Sequence, residues 1–197
     1  MSDSGLLQQL SYTKAYRKNR LEAAHWVIDH PETFSELLTY CLTAKDELSC
    51  KAAWVLEFVY LEQPDLLLPH LDLFFEKLPT ITRDQILRPL AHICELIAIL
   101  YYKKKEENIG SYFSEAHKKI MVECCFDWLI TNKKIACQAR AMTALFYLGT
   151  EFEWIHPELK QIIEQNIHVG SAGYKARGKN TIKQIAIFQK KKTHKLK

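Results

Sequence analysis

Glycine and proline are scarce in this chain, six of each in 197 residues, which argues against a turn-dense β architecture and against collagen-like or low-complexity structure. Long apolar runs are also missing: the most apolar stretch, Ile93 to Tyr102, contains Glu95 and is too short to span a bilayer. The opening residues Met1-Ser2-Asp3-Ser4-Gly5 lack the basic start and apolar run of a secretory signal. A cytoplasmic protein with no membrane segment is the expectation. None of the six cysteines (41, 50, 94, 124, 125 and 137) forms a Cys-x-x-Cys pair, so buried free thiols are expected rather than disulfides or a zinc site. The eight histidines are scattered, with no His-Glu-x-x-His, no phosphate-binding glycine loop and no Gly-x-Ser-x-Gly elbow. The sequence therefore points to no metal and no cofactor.

The composition, 48% hydrophobic and 25% charged, suffices for a packed core in one domain. Leu, Ala, Glu, Lys and Ile dominate, and apolar residues recur at three- and four-residue spacing, as in Phe34, Leu37, Leu38, Cys41 and Leu42. This is the period of amphipathic helices, so an all-α fold is expected. Breaks at His30-Pro31, Gln63-Pro64, Leu78-Pro79, His156-Pro157 and Gly170-Ser171 delimit nine helices near 12–30, 32–43, 46–62, 64–78, 82–103, 114–131, 133–149, 156–168 and 171–189. Residues 1–189 read as a single domain. Residues 190–197 read as a flexible basic tail, which supplies much of the formal net charge of +4.

A repeat underlies the pattern. Thr13-Lys14-Ala15-Tyr16, Cys50-Lys51-Ala52-Ala53, Leu87-Arg88-Pro89-Leu90, Cys137-Gln138-Ala139-Arg140 and Tyr174-Lys175-Ala176-Arg177 each open the longer helix of a pair. Their starts lie 37 residues apart except at the third interval, which is longer by 13 and contains the polar insert Lys103 to Ser111. The third position is Ala or Pro, small enough for close helix approach, and the long polar side chain before it is expected to point outward. A helix pair of this size cannot bury its apolar face alone, so stacking must supply the core. The register implies a HEAT-like α-solenoid, an armadillo-like helical array of about five repeats.

Three segments, Leu48-Ser49-Cys50-Lys51-Ala52-Ala53-Trp54-Val55-Leu56-Glu57-Phe58, Cys125-Phe126-Asp127-Trp128-Leu129 and Ala172-Gly173-Tyr174-Lys175-Ala176-Arg177, resemble segments of a small bacterial HEAT-like family. The resemblance covers nearly the whole chain. Members of that family are often catalogued as adenylosuccinate lyase, so the resemblance implies that activity as well as the solenoid. True lyases of that name carry a Ser-Ser-x-Met-Pro-x-Lys type of loop, whereas Met1, Met121 and Met142 here are not followed by Pro. The architecture is also similar to HEAT-like DNA glycosylases that remove alkylated bases from a cleft lined by Trp and Asp. Here none of Trp26, Trp54, Trp128 and Trp154 is followed four residues later by Asp.

Polar residues that could carry chemistry concentrate at Asp84, Arg88, His92 and Glu95, which share one helix face. In repeat register Glu95 occupies the column of Leu21, Phe58, Leu145 and Ile182, and a carboxylate among core positions requires a partner. An acid/base pair of His92 and Glu95 beside an anion-anchoring Arg88 is one reading. Ion pairing along or between repeats is the other, as is an Arg20–Glu57 bridge. Basic positions Lys14, Lys51, Arg88 and Lys175, with Arg140 and Arg177 one place later, would form a ladder able to hold phosphates, with Trp54, Tyr16 and Tyr174 nearby for stacking. The insert 103–113 reads as a surface loop or a partner-binding flap. Without a dense catalytic constellation, the function expected is a non-enzymatic interaction or scaffold module that binds a protein partner on the solenoid surface. The alternatives are nucleic-acid or anionic-ligand binding along the ladder, a DNA-base glycosylase-like activity and the lyase activity.

Overall fold

In the computed structural model, which describes residues 5–12, 16–43, 46–131 and 135–195, the chain is all-helical, with no β-strand among the described residues. Eleven α-helices follow one another there: α1 (Gly5–Leu10), α2 (Arg17–Asp29), α3 (Phe34–Thr43), α4 (Glu47–Glu62), α5 (Leu71–Lys77), α6 (Asp84–Ala98), α7 (Glu107–Gly110), α8 (Glu115–Ile130), α9 (Ile135–Leu148), α10 (Ile155–Asn166) and α11 (Ala172–Lys195). Nine of them match the nine expected from periodicity; α1 and α7 are additional and too short to show a period. Nowhere is a helix both long and apolar enough to cross a membrane among the described residues.

Local chemistry explains the boundaries. Pro31, Pro64, Pro69 and Pro79 each stand in the first turn of a short 3₁₀ segment, where a missing N–H costs nothing. The expected helix 64–78 is therefore two 3₁₀ turns followed by α5. Asp46 caps α4 by accepting a hydrogen bond from the Ser49 N–H at 3.1 Å. After α6 the backbone widens into a π-turn over Ile99–Lys104, closed by Lys105 in the left-handed region at φ 57°. The insert thus begins as helix rather than loop. At the other end α11 continues to Lys195 instead of stopping near 189. Lysines in a last turn oppose the negative pole of the helix, and residues 189–194 are exposed, as expected of that segment.

Contacts gather the chain into two compact units. The first contains α1 to α5, α7 and the beginnings of α6 and α8. Helix α4 packs on both α2 and α3, burying Leu37, Leu38, Val55, Leu56 and Val59 together with the edge-to-face pair Phe74 and Phe75. The second contains the end of α6, the π-turn, most of α8 and α9 to α11, with α9 packed on α10 and α11. Leu145, Leu148, Leu159 and Ile163 are buried there. All six cysteines are free and buried, and burial raises the thiols of Cys41, Cys94 and Cys125 well above their ordinary range and that of Cys124 to about 12.

Within the first unit, side-chain contacts recur at the repeat length. His25 meets Glu62 and Arg83 meets the carbonyl of Asp46, each across a separation of 37 residues. The close-approach position behaves unevenly: Ala52 and Pro89 are buried, Ala139 is half-buried and Ala176 is exposed, while Ala15 lies outside the described residues. Among the described residues, the outward direction expected of the preceding polar side chain holds at Arg88, which is exposed, but not at Lys51 and Lys175, which are half-buried, or at Gln138, which is buried; Lys14 lies outside the described residues.

Candidate functional site

In the first unit, α2 and α4 bring aromatic and basic residues together. The Arg20 guanidinium lies 5.5 Å from the Trp54 ring centroid and 5.7 Å from that of Phe58, and Arg17 lies 5.7 Å from Phe58, all within cation–π range. Lys51 donates to the Tyr12 carbonyl at 2.7 Å, stands 3.3 Å from Glu47 and lies over the Tyr12 ring, so that only 14% of its side chain is exposed. Burial pushes the Tyr12 phenol up to about 12 although the Arg20 charge pulls it down. Glu57, expected against Arg20, instead accepts a hydrogen bond from His92 Nδ1 at 2.6 Å. Arg20 prefers the ring faces because Trp54 and Phe58 flank it one helical turn apart, leaving Glu57 to the next long helix.

In the second unit, Glu95 is 3% exposed and forms an ion pair with Arg140. Arg177 approaches the other carboxylate oxygen at 3.8 Å and donates to Thr143 Oγ1 at 2.9 Å. A buried carboxylate is tolerable only when so compensated. The negative charge of Glu95 adds to burial in raising the Tyr147 phenol and, together with Cys124, the Cys125 thiol. Another buried ion, Lys118, donates to Glu151 at 2.9 and 3.1 Å and to the Tyr101 hydroxyl at 2.9 Å, while the Tyr102 hydroxyl donates to Glu151 at 2.6 Å. This network ties α8 to the π-turn and to the segment after α9.

The residues singled out by sequence thus fall into separate places. His92 and Glu95 do not form an acid/base pair: each is bound to a different partner, and Arg88 is exposed on α6. Three members of the basic ladder are engaged, Lys51 at Tyr12 and Glu47, Arg140 and Arg177 at Glu95. Lys175 is half-buried, and Lys14 lies outside the described residues. Among the described residues, no group of three or more His, Cys, Asp or Glu side chains is placed to hold a metal ion.

A different site, absent from the sequence expectations, lies on the second unit. Trp154, just before α10, is 54% exposed. Its ring stacks on Phe126 of α8, centroids 5.7 Å apart and planes inclined by 21°. Together with Phe152, Val122, Lys119 and Glu123 it borders a pocket of about 240 Å³. Val122 and Phe126 are one turn apart on α8, and the segment Thr150-Glu151-Phe152-Glu153-Trp154 is held against that helix by the Lys118–Glu151 pair. Alternation of acidic and aromatic residues from Glu151 to Trp154 was its only sequence signal. Comparison with protein-family models, curated proteins and solved structures gave no match for the chain.

Proposed function

We propose that this chain is a HEAT-like solenoid module of the cytoplasm that docks a protein partner at the Trp154 pocket and performs no catalysis of its own. The observation that carries the reading is Trp154: a large indole, half exposed, fixed by stacking on Phe126 and bordering a concave apolar site. Prepositioned aromatic side chains in pockets are the usual energetic centres of protein interfaces. The 37-residue register and the His25–Glu62 and Arg83–Asp46 contacts at that separation support the repeat architecture.

Binding of nucleic acid or another polyanion along the ladder has less support, because Lys51, Arg140 and Arg177 already satisfy protein groups. The lyase and glycosylase activities that the resemblances imply would require acid/base groups sharing a site, whereas His92 and Glu95 bind different partners.

Placing a photo-crosslinking amino acid at position 154 and irradiating in host extract is expected to give a discrete protein adduct. The same amino acid at the exposed Glu32 on the first unit serves as the control and is expected to give none. Absence of an adduct at 154, or an identical pattern at both positions, would sink the docking reading.

A further inference from the structure

We infer that the Trp154 pocket takes a peptide segment of a partner in which one large apolar side chain is flanked by lysine or arginine. The inference rests on the docking reading above and concerns what that site selects. About 240 Å³ is the space of a single large side chain rather than of a helix or a folded surface. Its walls, Val122, Phe152, Trp154 and the methylenes of Lys119, offer an apolar anchor dispersion contacts on several sides.

Charge around the opening decides the flanks. Four carboxylates lie on the link before α10 and on the part of α8 within this unit: Glu151 and Glu153, and Glu123 and Asp127. Glu151 is neutralised by Lys118, and Glu153 is paired with Lys192. Glu123 borders the pocket itself, and Asp127 stands one turn further along α8, beside the Phe126 that carries Trp154. Both are exposed, and their charges raise the neighbouring Cys124 thiol, secondary to burial. Lys119, the basic residue of the rim, is itself partnered. Set against Lys118, Lys119 and Lys192, these four carboxylates leave a net negative charge around the mouth, and a cationic flank on the incoming peptide complements it.

The test uses the full chain and three fluorescent peptides with the same central leucine, flanked by lysine and arginine, by glycine and serine, or by aspartate and glutamate. Fluorescence anisotropy should rank them in that order, with the basic peptide losing its advantage as salt is raised. Glu123→Gln with Asp127→Asn should weaken the basic peptide about fivefold and leave the neutral one unchanged. Trp154→Ala should weaken both by about thirtyfold, the scale of a hot-spot residue. All these positions are exposed, so circular dichroism and melting should match the parent chain. Equal binding of basic and neutral peptides, still dependent on Trp154, overturns the charge preference and leaves the docking reading standing. Binding indifferent to Trp154→Ala overturns both. Concentration-dependent dimerisation abolished by Trp154→Ala would make a second copy the occupant and overturn the peptide inference.

Discussion

Glu95 shares its repeat column with Leu21, Phe58, Leu145 and Ile182, and it is buried as Leu145 is, whereas Leu21, Phe58 and Ile182 are half-buried. That much was readable from the register, since a carboxylate in an apolar column either finds a cation or is neutral. Which cation answers it was not readable, because Arg140 stands 45 residues away across an insert. The energetics are asymmetric. Removing Arg140 leaves a buried carboxylate with Arg177 at 3.8 Å, and Arg140→Ala is expected to cost about 3 kcal/mol. Replacing the carboxylate instead frees two half-exposed guanidinia to regain water, so Glu95→Leu should cost less than about 1 kcal/mol and fill the space with an apolar side chain. Urea unfolding midpoints of the two variants decide it; a larger loss for Glu95→Leu than for Arg140→Ala would contradict the account. Trp154 is the opposite case. A tryptophan in a six-residue link has no period to read, and its exposure depends on Phe126 reaching it from another helix.

Elements were more legible than their ends. Apolar spacing over ten or more residues located nine helices, while α1 and α7, six and four residues long, offer too few positions for a period. Propriety of the boundaries followed prolines, but proline marks a stop without stating that 3₁₀ turns will fill the gap before α5. The π-turn after α6 is a further example: nothing in Ile99 to Lys104 distinguishes it from helix, and it ends on Lys105 at φ 57°. Left-handed backbone costs a side-chain-bearing residue about 1 kcal/mol relative to glycine. Lys105 is exposed, and the Glu106 N–H returns to the Leu100 carbonyl at 3.3 Å, so the site tolerates loss of the side chain. Lys105→Gly is accordingly expected to raise stability by about 1 kcal/mol, seen as a higher thermal midpoint; a lower one would mean that the lysine side chain itself holds the turn.

At the largest scale, contacts at the 37-residue spacing are found within the first unit, between His25 and Glu62 and between Arg83 and the Asp46 carbonyl. Of the basic ladder, Lys51 meets Tyr12 and Glu47 while Arg140 and Arg177 both meet Glu95, pairings that are invisible in an alignment that compares residue types alone. Other groups make stability depend on pH in a defined way. Burial lowers the His156 pKa from 6.5, with Lys192 adding to that and a hydrogen bond to the Phe146 carbonyl opposing it. The ring also fills the space beside Gly149, where a Cβ would stand 2.2 Å away. The unfolded chain therefore binds a proton at His156 before the folded one does, and stability should begin to fall as pH drops below about 6.5. Glu151, held below its usual 4.5 by Tyr102 and Lys118 against the opposing effect of burial, and Asp46, held below 3.8 by the Ser49 N–H, add a further fall as pH passes below those values. At the alkaline end the signs reverse. Burial raises the thiols of Cys41, Cys94, Cys124 and Cys125 above 9.0, so the unfolded chain loses those protons first and stability falls above about pH 9, and the Tyr102 phenol, raised above 10.0 by burial and Glu151, adds to the fall above about pH 10. Lys118, raised above 10.5 by Tyr101 and Glu151 despite burial, contributes stability that is lost as pH climbs through its folded value. Melting temperatures across this range should form a plateau between about pH 6.5 and 9. In His156→Gln, which removes the titrating ring, the decline just below pH 6.5 should flatten while that below 4.5 remains. A decline that begins at the same pH and with the same slope in the variant would assign the acid sensitivity elsewhere.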